Sequence, residues 1–307
     1  MLTVLLGAPV ALVKAIDRAN RRVFFMKPNK RRLIALLAGA ASLLISCGNQ
    51  SSGDVIRIGL ECAYVPFNWV AEESEYTLPI ANHAGSFADG YDIQIAKKIS
   101  SELSKKVEIV QTKWESLITD LQMGAIDAIV AGMTDTEERR RQISFTEEYY
   151  RSELVLVTAQ AVAERYESPL SAAEFGTLVN GQNIVSQVST VTNDVIDVFA
   201  SQYGARHVTP VATFALAAQD VVNGSAFAMT AELPVATSIV GKLNGLGIVH
   251  FDQEVLGETQ SELGVSIGVR KNDTDLLAGL NSTLAKISKT ERESLMGAAI
   301  ARSGGAE

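Results

Sequence analysis

The chain has 307 residues, with 27 Lys and Arg against 35 Asp and Glu, a formal net charge of −8. That length suits about two domains, and an apolar fraction of 47% is enough for packed cores rather than bulk disorder. The basic residues crowd the start: residues 1–46 hold eight of them and one acid, Asp17. The acidic remainder argues against a nucleic-acid surface, which needs Lys and Arg. Two cysteines allow neither a disulfide-rich scaffold nor a four-cysteine zinc site, and His83, His207 and His250 lack metal-ligand spacing.

Residues 33–46 form an uncharged apolar run of 14, short of the roughly 20 that a membrane span needs. It follows Lys27, Lys30, Arg31 and Arg32, the layout of a secretory signal. Leu44-Ile45-Ser46-Cys47 resembles the bacterial lipobox, in which the cysteine becomes the lipidated first residue of the mature protein. The reading is therefore 1–25 as a mis-assigned start upstream of Met26, 26–46 as a lipoprotein signal peptide, and 47–53 as a flexible polar tether. Lipidation of Cys47 leaves Cys62 without an intrachain partner.

From Asp54 onward strand and helix patterns alternate. Ile56, Ile58 and Leu60 read as a strand. Ile95, Ile99 and Leu103 give a helical stripe within 91–106, and 107–112 reads as a strand. Trp114, Leu117, Ile118 and Leu121 give a second stripe closed by Gly124, and 126–131 reads as a buried strand. The pattern restarts after about residue 160. Strands are expected at 183–188, 208–211, 226–229 and 247–251, helices at 191–203, 213–222 and 232–243, and a last helical stretch over 273–300. Two apolar segments, 154–158 and 263–269, bracket this second set. Such alternation predicts parallel sheets covered by helices. Two α/β lobes follow, 54–155 with 265–307 and an inserted 156–264, facing each other across a cleft at their strand ends.

The most informative stretch is Ala131 to Arg139, AGMTDTEER, where a strand gives way to a helix. Thr134 and Glu137 have capping-box spacing, and a helix N-terminus attracts anions. Arg139 lies one turn in and can grip a carboxylate with two parallel hydrogen bonds. On spacing alone the plainer reading, a well-capped helix with Arg139, Arg140 and Arg141 as a solvated basic face, ranks slightly ahead.

Four stretches then carry a resemblance: Glu61 to Trp69 (ECAYVPFNW), Gly90 to Ile93 (GYDI), Trp114 to Asp127 (WESLITDLQMGAID) and Ala131 to Tyr150. Together they resemble the bacterial extracellular solute-binding proteins for polar amino acids, the binding components of ABC importers. The likeness covers about 54–300. It implies the two-lobed, periplasmic-binding-protein-like fold of type II, with the second lobe inserted and two crossover strands. It also implies an α-carboxylate site made by Arg139 with Gly132, Met133 and Thr134. In the second lobe Gln187-Val188-Ser189-Thr190 stands at the family's Q-x-G-T turn, with Ser189 in place of the usual glycine and Thr190 offering a hydroxyl and an N–H. Glu232 matches the acid that pairs with the ligand α-ammonium, and it also suits a first-turn helix position. Tyr64, Phe67 and Trp69 match the aromatics that cover the ligand side chain. The Tyr64 ring suits stacking on a guanidinium, and Glu61 beside it tilts the expected ligand toward arginine, lysine or histidine.

The resemblance implies a monomeric, lipid-anchored binding protein on the extracytoplasmic face of a bacterial membrane, without a cofactor. Its partners would be a free amino acid and an importer permease, with no nucleic acid. The competing class is a dehydratase-like lyase or a sensor module on the same fold. No Ser/His/Asp arrangement, nucleophile elbow or phosphate loop supports an enzyme.

Overall fold

The computed structural model describes residues 54–304, and of residues 258–262 the backbone alone. The signal segment, the Cys47 lipidation site and the tether lie outside the described residues. The chain begins with β1 (Val55–Leu60), in which Ile56, Ile58 and Leu60 are buried while Arg57 turns out to pair with Asp127. Four short strands follow: β2 (Ala63–Tyr64), β3 (Asn68–Ala71), β4 (Leu78–Pro79) and β5 (Phe87–Asp89). They pair antiparallel in the order β2-β3-β5-β4. Helix α1 (Tyr91–Leu103) then buries Ile95 and Ile99 completely, as their four-residue spacing requires. It is entered through Gly90 at φ +135°, where a Cβ would lie 2.1 Å from the Phe67 carbonyl oxygen, so only glycine fits.

Next come β6 (Lys106–Gln111), a 3-10 turn at Trp114–Ser116, α2 (Leu117–Gln122), β7 (Ala128–Ile129), α3 (Glu137–Gln142) and β8 (Ser144–Arg151). The second set runs β9 (Leu154–Ala159), α4 (Gln160–Ala163), α5 (Ala172–Val179), β10 (Asn183–Val185) and α6 (Val191–Tyr203). It continues with β11 (Arg206–His207), α7 (Phe214–Val222), β12 (Ala228–Glu232), α8 (Leu233–Lys242) and β13 (Leu246–Val249). A 3-10 segment, Gln253–Glu262, leads to β14 (Gly264–Val269), α9 (Thr274–Ala285) and α10 (Lys289–Arg302).

The first lobe's sheet has the order β6-β1-β7-β14-β8, the second lobe's β11-β10-β12-β9-β13. In each, the first three strands pair parallel, and a single reversed strand, β14 or β9, pairs antiparallel with the third and the fifth. The helix-covered parallel strands follow the alternating pattern, and the arrangement is the type II one that the family resemblance implied. The predicted crossover strands are β9, which pairs only within the second sheet, and β14, which pairs only within the first among the named strands. The chain therefore changes lobes at 152–153 and 263–264.

Two local expectations need correcting. Thr134 does not cap the helix after β7. It is drawn into a bridge with Val265 of β14, and Thr136 takes the cap with its hydroxyl accepting from the Arg139 N–H. Glu137 then becomes the first helical residue, too early to close a capping box. The last helical stretch is also two helices, because Ser288 starts a new one by accepting from the Glu291 N–H.

Candidate functional site

Four loops at the C-terminal ends of parallel strands meet between the lobes. Glu61 follows β1, Gly132 to Thr134 follow β7, Gln187 to Thr190 follow β10, and Glu232 ends β12. They enclose a narrow cleft with about 290 Å³ of space between atoms, its open mouth included. Of the sequence-predicted residues, Glu61, Tyr64, Gly132 and Thr134 line it from the first lobe together with Arg139. Gln187, Thr190 and Glu232 line it from the second. Met133 and Ser189 lie just outside, in a neighbouring groove. Phe67 and Trp69 do not reach the cavity: Phe67 packs beneath Tyr64, and Trp69 pairs with Ala63 in the small sheet.

The cleft is closed by direct contacts between lobes. Trp114 Nε1 and Arg139 Nη2 both donate to the Ser189 carbonyl, at 2.9 and 3.0 Å. Gln187 Nε2 donates to Glu61 at 3.2 Å. Ser189 adopts φ +60°, the left-handed conformation that its glycine-like place in the turn demands, and this geometry presents its carbonyl to the first lobe. Arg139 also donates to the Thr134 carbonyl at 2.8 Å and lies 5.3 Å from the Trp114 ring centre.

Several predicted contacts are committed inside the protein. The Gly132 N–H donates to the Tyr149 hydroxyl at 2.8 Å, and that hydroxyl donates to buried Asp92 at 2.7 Å. Gly132 therefore offers no N–H to a ligand. It sits at φ +61°, where a Cβ would come within 2.7 Å of the Tyr64 ring. Thr190 donates its hydroxyl proton to the Gln187 carbonyl and accepts from Asn193 N as the cap of α6. Its hydroxyl is thus not a ligand donor.

Tyr64 is not an open stacking platform either. One ring face lies on Phe67 and the other on Phe214, each at 4.9 Å and near-parallel. Its hydroxyl hydrogen-bonds to Glu232, and burial together with that carboxylate holds the phenol far above its usual pKa.

Electrostatically the cavity is acidic. Burial raises the Glu61 carboxyl to about 7, against the opposing donation from Gln187. Burial likewise raises Glu232, opposed by hydrogen bonds from Tyr64 and its own backbone, and its Oε2 is buried without a hydrogen-bond partner. Burial pushes the Cys62 thiol up to about 12, which fits a packed residue rather than a reactive one.

The sequence reading missed four lining residues: Trp114, Val191, Thr192 and Phe214. Trp114 was read as part of a helical stripe, yet it directly follows a strand end, where sites are built. An aromatic at the first turn of a helix, as Phe214 is, carries no sequence signal that separates it from core. Among the described residues, no three His, Cys, Asp or Glu side chains are grouped to hold a metal, and no helix is long and apolar enough to cross a membrane.

The profile of the bacterial extracellular solute-binding proteins, family 3, matches residues 56–296. The chain is 24% identical over 260 residues to the L-arginine-binding protein of Pseudomonas aeruginosa, covering 82% of this chain and 89% of that one. It is 24% identical over 263 residues to a putative ABC transporter arginine-binding protein 2 of Escherichia coli, covering 85% and 94%. An amino acid ABC transporter substrate-binding protein from Streptococcus pneumoniae, bound to L-arginine, superposes with a TM-score of 0.67 at 21% identity. That match covers 82% of this chain and 95% of that chain.

Proposed function

Because the chain belongs to the bacterial extracellular solute-binding proteins of family 3, we propose that it captures an amino acid with a basic side chain, arginine foremost, for an ABC importer. The observation that carries this reading is the charge set of the cleft. Two half-buried acids, Glu61 and Glu232, and one guanidinium, Arg139, face a single cavity. Arg139 takes the ligand α-carboxylate, and the unpartnered Oε2 of Glu232 takes the α-ammonium. Glu61 takes a cationic side chain beside Trp114, whose ring supplies the aromatic surface that Tyr64 does not. The arginine-binding names of the relatives point the same way. Calorimetry against the common amino acids tests the reading. Arginine, lysine or histidine should bind more tightly than glutamine, and glutamate should bind worst. A preference for glutamine over all three would remove the basic side chain from the proposal.

Ligand capture in this reading is coupled to closure, since the lobes must meet for both ends of the ligand to be paired. The moving lobes divide where the chain crosses between the sheets, at 152–153 and 263–264. Anchoring through lipidated Cys47 would hold the monomer on the extracytoplasmic face of the membrane, next to the permease. Mass spectrometry of the membrane fraction should show an N-terminus acylated at Cys47. An unmodified Cys47 in secreted protein would remove the anchor.

A further inference from the structure

The aromatic stack at the floor of the cleft joins the two lobes. Phe67 and Tyr64 belong to the first lobe, and Phe214 is the first residue of α7 in the second. The cap of that helix fixes where Phe214 points. Thr213, in an extended conformation, accepts from the Leu216 N–H at 3.2 Å, so the first turn cannot swivel without losing its cap. Phe214 is 5% exposed and forms part of the cavity wall.

Tyr64 in turn is held from every side. Phe67 supports one face, Phe214 covers the other, Glu232 takes the hydroxyl, and Gly132 closes against the ring edge. The pair is therefore a rigid partition rather than two adaptable side chains. It removes the Tyr64 face from the cavity, so a broad side chain cannot lie on it.

We propose that Phe214 sets the breadth of side chain this cleft accepts, by occupying the Tyr64 face that an aromatic ligand would otherwise use. The inference rests on the cleft being the amino-acid site proposed above. A slender side chain does not need the Tyr64 face, whereas a ring has no room on it until Phe214 is truncated.

The test compares arginine and phenylalanine binding by calorimetry in the wild type and in Phe214→Ala, Phe214→Val and Phe214→Leu, with folding checked by circular dichroism. The wild type should favour arginine over phenylalanine by a factor of about 100 or more. In Phe214→Ala that ratio should fall at least about tenfold, through tighter phenylalanine binding. Phe214→Val should lower it by at least about threefold and serves where the alanine variant does not fold. Phe214→Leu, which keeps most of the bulk, should leave the ratio within about twofold of wild type. An unchanged ratio in a folded alanine or valine variant overturns the proposal, because lost packing alone would weaken both ligands together. Absence of any amino-acid binding by the wild type overturns the underlying site reading, and this one with it.

Discussion

Replacing Glu61 with glutamine should remove the tightening of arginine binding as pH rises through 7 and bring the arginine and glutamine curves parallel. The carboxyl group is held near 7, first by burial, with a small further push from Glu115 and a counter-effect from the Gln187 amide. Only its ionised form pairs with a guanidinium, so raising the pH through 7 should tighten arginine binding. With a pKa of about 7, the ionised fraction falls from roughly nine-tenths at pH 8 to roughly one-thirtieth at pH 5.5. Arginine affinity should therefore weaken by about 30-fold over that range, equivalent to about 2 kcal/mol.

Glu232 is raised as well, but it meets an α-ammonium that every amino acid carries. Its titration therefore tilts the arginine and glutamine curves alike, and the difference between the two ligands isolates Glu61. Calorimetry at pH 5.5, 6.5, 7.5 and 8, in buffers of different ionisation enthalpy, should also detect release of about half a proton when arginine binds at pH 7. The stability side has the opposite sense. Folded Glu61 keeps its proton to higher pH than the unfolded chain does, so its contribution to stability declines as pH rises from about 4.5 to about 7. Parallel arginine and glutamine curves in the wild type, or an undiminished arginine slope in Glu61→Gln, would refute the assignment of Glu61 to the ligand side chain.

Arg139→Ala should abolish measurable amino-acid binding while the melting temperature stays within a few degrees, since removing one partner of a buried charge pair costs about 2–5 kcal/mol; unaltered affinity would leave this arginine as a contact between the lobes, through the Ser189 carbonyl, and not a ligand group. Tyr149→Phe should lower stability by about 2–4 kcal/mol in urea unfolding, because it strips the Gly132 N–H of its acceptor and Asp92 of a donor in the buried interior; a loss below about 0.5 kcal/mol would mean that these groups find other partners.

How much of this was legible before the structure depended on the range of the interaction. Helix α6 spans the 191–203 stretch that periodicity predicted, and Ile56, Ile58 and Leu60 are buried as their alternation requires. These are properties of a single element facing a single core. The strand expected at 208–211 instead forms at Arg206–His207, with Val211 reached by an isolated bridge to Gln187; there the partner strand, not local pattern, fixes the register. The cap after β7 moved from Thr134 to Thr136 for a similar reason, since β14, more than a hundred residues away, claims Thr134. At the site, local spacing offered Arg139 one turn into a helix, while Glu61 and Glu232 came from the family resemblance. It did not reveal that the Gly132 N–H and the Thr190 hydroxyl are consumed internally, nor that Phe214 covers Tyr64. Those facts depend on side chains from separate segments converging, and no local pattern encodes them.

The charge set of the cleft narrows the ligand further than any one contact does. Glu61 and Glu232 ionised, against Arg139, present two negative groups and one positive. Burial keeps both carboxyls inclined to hold their protons, which is the response of acids lacking enough nearby cations. A ligand that brings two positive groups and one negative restores the balance inside a closed, weakly polar space, where each unmatched charge is expensive. Arginine and lysine have that complement. Glutamine brings one of each and leaves an acid unmatched, which the site accommodates by keeping Glu61 protonated below about pH 7. Glutamate brings two negative groups to a site with a single guanidinium and has no such remedy. The expected order of affinity, cationic before neutral before acidic, should thus persist at pH 8, with the gap between arginine and glutamine closing as pH falls. A glutamate affinity equal to that of glutamine at pH 8 would show that the carboxyl groups do not govern selection.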